Sequence, residues 1–152
     1  RIATHLDATK GIQNQVGTPA YNCECKWCRI WSECNSEILP AELKSQLQRF
    51  GLEPTNPTDL YSFNTSPDSA SIRIVYHVVG KILSGPSSRS EHPEIGTLLQ
   101  YKELRKSPYL SMVVFPQKDS VDQSSPEYQN TGNGELIRLD FRLNIPAIVA
   151  KA

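Results

Sequence analysis

All the cysteine chemistry of this 152-residue chain is concentrated near one end, in the run Cys23-Glu24-Cys25-Lys26-Trp27-Cys28 with Cys34 six residues further on. Zinc takes four sulfur or nitrogen ligands in a tetrahedron, and a C-x-x-C turn aims two thiolates at one point, so Cys25 and Cys28 supply half a site. A zinc ribbon or finger would add a second such pair, and the chain contains none. Cys34 follows Trp27, Ile30 and Trp31 at the i, i+3, i+4, i+7 spacing of one helical face, which points its thiol toward the core as a small hydrophobe. The expected metal set is therefore Cys23, Cys25 and Cys28 at the start of a helix, where the positive end of the dipole favours thiolates. The fourth ligand would be Cys34 after all, or a histidine, with His77 the most testable of His5, His77 and His92. Zn2+ is the expected ion; reduced thiols with packing roles only, and a disulfide or redox pair, are the competing readings.

Other chemistry is poorly represented. No G-x-S-x-G turn and no glycine-rich phosphate loop occurs, and the carboxylates Glu91, Glu94, Asp119 and Asp122 show no spacing that would pair an acid with a base. His77 lies mid-strand between Val75 and Val79, where a hydrogen-bonded core histidine is a better reading than a ligand or general base. A thioredoxin-like enzyme would place its C-x-x-C after an apolar strand within a β-α-β plan, and neither is present. Non-catalytic function is expected. The alternative is a thiol-based oxidoreductase or metal-dependent enzyme using Cys25 and Cys28.

The elements that must position these residues follow from hydrophobic period. Residues 1–20 contain Gly11, Gly17 and Pro19 with no sustained period, and read as an irregular arm preceding a single domain over residues 21–152. A helix is predicted from Tyr21 to Asn35 with Asn22 as its N-cap, and a second from Pro40 to Phe50, carrying Leu43 and Leu47 and stopped by Gly51. Asn56, Pro57 and Asp59 suggest one short helical turn through Tyr61, followed by loop to Ser71.

From Ser71 the period becomes two, and both faces of the run Ile72 to Val79 are largely apolar, as in a central strand. Gly80 suggests a bulge, with the strand continuing to Leu83. Residues 87–96 read as polar loop, Leu98 to Leu104 and Tyr109 to Phe115 as strands, and Lys118 to Gly134 as a long polar loop. Ile137, Leu139, Phe141, Leu143 and Ile145 alternate with Arg138, Asp140, Arg142 and Asn144, which reads as a half-buried antiparallel strand with a solvated outer face of charge pairs. The predicted fold class is α+β, with two N-terminal helices packed on a mostly antiparallel sheet of four or five strands.

Sixteen basic residues balance sixteen acidic ones, so no overall field attracts nucleic acid or an acidic membrane. No apolar run reaches the ~18–20 residues that span a bilayer. Few, clustered cysteines favour a reducing, cytoplasmic compartment, while secretion after removal of a signal is the alternative. These features together lead to the expectation of a small protein-binding domain of the adaptor or immunity type. Recognition would use a sheet edge or the loop Lys118 to Gly134.

Overall fold

A computed structural model describes residues 1–66, 69–122, 124–130 and 132–145. In chain order the elements are β1 (Ile2–Thr4), α1 (Leu6–Gly11), α2 (Lys26–Ile38), α3 (Ala41–Arg49), β2 (Asp59–Ser66), β3 (Ser69–Ile82), β4 (Arg89–His92), β5 (Gly96–Leu99), β6 (Lys102–Arg105), β7 (Leu110–Pro116), a 3-10 turn (Gln117–Asp119) and β8 (Glu135–Ile145). Among the described residues this is α+β: three α-helices, an antiparallel sheet of six strands and a two-stranded β4–β5 ribbon. The main sheet thus exceeds the four or five strands expected.

The long strand β3 organises the sheet. One of its edges pairs with β8 from Ala70↔Ile145 to Gly80↔Glu135. Its other edge is shared, pairing first with β2 (Asp59↔Val75) and then with β1 (Ile2↔Ile82). Beyond β8 come β7 and then β6. Antiparallel partners share a face, so Ile72, Ile74, Tyr76 and Val78 line up with Leu143, Phe141, Leu139 and Ile137. These side chains form one buried cluster with Ile30, Trp31 and Ile38 of α2, Leu47 of α3, and Leu39 and Leu52. Trp31 is tied into it by its indole N–H, which donates to Pro54 O at 2.8 Å and to Tyr76 Oη at 3.2 Å. At the far end of α2, Arg105 donates to Ile38 O at 2.9 Å, satisfying a terminal helix carbonyl.

Several local expectations are corrected. Residues 1–20 are not simply irregular: β1 joins the sheet, and α1 is capped by His5, whose Nδ1 accepts the Ala8 N–H at 3.1 Å. The helix predicted from Tyr21 starts instead at Lys26, because Asn22 is left-handed (φ 50°) and Cys25 is the N-cap. Within the predicted turn through Tyr61 and the loop after it, Asp59–Ser66 is the strand β2, held by its pairing with β3 rather than by its own alternation, and β3 begins at Ser69; residues 67 and 68 lie outside the described residues. Residues 87–96 likewise contain β4 and the start of β5. Gly80 marks no bulge, since its pairing is in register on both sides. A Cβ there would lie 2.0 Å from Ala3 O, so glycine is required by the close approach of β1.

The outer face of β8 is the largest departure from expectation. Arg138 and Asp140 are fully buried rather than solvated. Asp140 accepts from Arg73 at 2.7–3.0 Å, from Arg138 Nε at 3.1 Å and from Tyr101 Oη at 2.9 Å. Arg138 also faces Asp122 at 3.5 Å, and Asp122 accepts from Tyr61. The chain after β7 and the tyrosines at 61 and 101 fold over this face, so the charges are paired under cover instead of in water.

Candidate metal centre at the start of α2

The cysteine run is shaped by the turns that precede α2. Tyr21 N–H donates to Thr18 O at 3.0 Å and Cys23 N–H to Ala20 O at 3.4 Å, while the left-handed Asn22 reverses the chain just before Cys23. Asparagine tolerates that conformation better than most residues. The Ala20 N–H donates to Thr58 O at 3.3 Å, which fastens this segment to the chain entering β2. Cys25 then caps α2: its extended backbone leads into the helix, and its Sγ accepts the Cys28 N–H at 3.4 Å. Cap and helical turn place Cys28 beside Cys25.

The outcome is a group of three sulfurs, on Cys23, Cys25 and Cys28, all within 4.8 Å of one another. Tetrahedral zinc with Zn–S bonds of ~2.3 Å sets sulfurs about 3.8 Å apart, so small side-chain rotations bring these three to ligand distance. Cys25 is exposed, and Cys23 and Cys28 are half-buried. Partial burial works against ionisation of Cys25, but hydrogen bonds from the Cys28 and Trp27 backbone and from the neighbouring thiols outweigh it and lower its pKa. Burial pushes the Cys28 thiol up, and its neighbours Cys23 and Cys25 push it further. Cys25 is thus easier to ionise than an ordinary thiol, and a cation would draw protons from all three. The three residues can hold a metal ion.

Cys34 and His77 are not members of this group. Cys34 packs half-buried against the core on the face of Trp27, Ile30 and Trp31. Partial burial, followed by the nearby Glu37, raises its thiol pKa. His77 is fully buried on the sheet face opposite the helical core, with Nε2 2.7 Å from Gln117 Oε1 and Nδ1 2.7 Å from Thr58 Oγ1. Burial holds its pKa down to about 4, so the ring is neutral. A neutral ring with an acceptor at Nε2 carries its proton there and turns Nδ1 toward the Thr58 hydroxyl, which also reaches Val75 O at 3.0 Å. Both ring nitrogens are thus engaged by buried protein groups.

Thr58 nevertheless connects the two regions, because it also lines a cavity of about 370 Å3 bounded by Cys23 and Cys28. The chain turning at Asn14 and Asn22, helix residue Ser32 and the loop at Asn56 complete much of its wall. Asn14 and Asn22 are the two non-glycine residues with positive φ among the described residues, and both line it. Nothing in the sequence signals this cavity, since its wall comes from three separated segments. The cysteine spacing signals the sulfurs alone.

No protein-family model, curated protein or solved structure matches this chain. Its functional reading therefore rests on the residues and their geometry.

Proposed function

We propose that this chain is a small non-catalytic binding domain that recognises another protein and carries a zinc ion on Cys23, Cys25 and Cys28. The observation that carries the zinc assignment is the convergence of three sulfurs within 4.8 Å at the first turn of α2. Thiolates suit zinc in strength and geometry, and the ion would fasten the turns before α2 to the helix itself. The loop 118–134 supports the recognition reading. Its described residues are anchored through Asp122 to Arg138 and through reciprocal bonds between Glu127 and Gln15 at 2.7 and 2.9 Å. A surface held in place before binding loses less entropy when a partner docks.

The zinc assignment is tested by competition with a chromogenic chelator on the reduced chain, alongside Cys23→Ser, Cys25→Ser and Cys28→Ser. One ion per chain is expected, with weakened uptake in each variant. At free zinc 100 times the dissociation constant, stability should rise by about 2.7 kcal/mol. Zinc uptake that survives all three substitutions would remove the site. Recognition is tested by partner capture with and without the loop residues 118–134; undiminished capture by the loop-deleted chain would remove the proposed surface.

A second reading draws on Cys25 itself. It is an exposed thiol, lowered in pKa at a helix start, with Cys28 three residues on, which is the arrangement of an attacking and a resolving thiol in disulfide exchange. Alkylation of Cys25 should then accelerate below the pH at which an ordinary thiol reacts. A rate tracking that of a free cysteine across neutral pH would remove this reading.

A further inference from the structure

Three protein sulfurs leave a tetrahedral ion with one position to fill, and the surroundings restrict what can fill it. Cys23 and Cys28 line the 370 Å3 cavity, and none of its lining residues carries a charged side chain. Among the described residues no histidine or carboxylate joins the three sulfurs. Three thiolates on a divalent ion already carry net negative charge. A carboxylate, phosphate or fourth thiolate would add to that charge in a wall with no cation to offset it. A single water would complete the tetrahedron, but the cavity is many times larger than one water requires.

Neutral nitrogen donors bind zinc strongly without adding charge. A ring with a second N–H also needs an acceptor near the metal. Ser32, Thr18, Asn22 and Asn56 provide hydroxyl and amide oxygens around the cavity. We propose that the fourth position of the metal faces this cavity and takes a neutral nitrogen donor of the imidazole class from outside the chain. This rests on the zinc reading. It makes the ion the point at which the domain grips its ligand, rather than only a fastener of the fold.

The test uses the intact reduced chain loaded with Co2+, whose sulfur-to-metal charge-transfer and visible d–d bands report ligand number and type. Imidazole should shift the d–d bands saturably with cobalt retained, while azide and acetate at matched concentration should not. Ser32→Phe narrows the cavity from an exposed helix position and leaves all three sulfur ligands in the chain. It should keep the charge-transfer band and weaken imidazole binding by at least ~10-fold. A histidine-containing peptide and its histidine-to-alanine counterpart separate the sources. Tighter binding of the histidine peptide than of free imidazole assigns the donor to a protein partner, and the reverse assigns it to a small molecule. Bands that ignore imidazole while cobalt stays bound overturn this inference and leave the zinc reading standing. Failure to form sulfur-to-cobalt bands overturns both.

Discussion

Replacing His77 by a group that does not titrate should remove a defined part of the protein's acid sensitivity. His77 is fully buried, and desolvation lowers its pKa from 6.5 to about 4. The hydrogen bond to Gln117 pulls the other way, Arg138 adds to the depression, and Asp122 and Asp140 partly oppose it. The unfolded chain takes up this proton at an ordinary histidine pKa, while the folded chain resists until about pH 4. Between those values the unfolded state binds more protons, so stability rises with pH. The contribution is complete above pH 6.5 and is lost as pH falls toward about 4. The gap corresponds to about 3 kcal/mol, with a slope approaching ~1.4 kcal/mol per pH unit inside the window. Urea unfolding of the wild type and His77→Gln at pH 7, 6, 5 and 4.5 reads this directly. The variant is expected to be less stable at pH 7, having lost the bridge from Thr58 to Gln117, but flatter with pH. Parallel curves for the two proteins would refute the assignment of His77 as a neutral buried ring.

Three further outcomes follow from the same packing. Asp140→Asn should cost about 3–5 kcal/mol in urea unfolding, because Arg73 and the fully buried Arg138 lose their shared carboxylate; a loss below ~1 kcal/mol would mean that the cluster is not held under cover. Gly80→Ala should push β1 off β3, so the His5 amide that donates to Val79 O at 2.7 Å loses protection from hydrogen exchange. Unchanged protection there would contradict the close approach of Ala3. Cys34→Ala should leave zinc stoichiometry at the wild-type value, as its thiol packs on the core away from the other three. Loss of the ion in that variant would return Cys34 to the ligand set.

The parts of this molecule legible in the sequence are those whose signal is local. The spacing of Trp27, Ile30, Trp31 and Cys34 identified one face of α2 and set Cys34 apart from the other cysteines. The alternation in β8 and the two apolar faces of β3 gave the antiparallel core of the sheet. What stayed hidden depends on partners distant along the chain. β2 and β1 are strands because they pair with opposite ends of one edge of β3, and β1 is only three residues long. Alternation shows that Arg138 and Asp140 share a polar face, but not whether water or Tyr101 and Asp122 meet them. The helix boundary was missed for a local reason: asparagine both caps helices and adopts left-handed turns, and Asn22 does the second while Cys25 does the first. The sulfur cluster was legible from spacing. The cavity beside it, and the commitment of His77 to Thr58 and Gln117, required the fold.

The central claim is most directly tested by X-ray absorption at the zinc edge on the reduced chain reconstituted with one equivalent of zinc. Three sulfur neighbours at ~2.3 Å and one nitrogen or oxygen neighbour at about 2.0–2.1 Å are predicted. A shell of four sulfurs, or one of nitrogen and oxygen alone, would contradict a three-cysteine centre with an open fourth position.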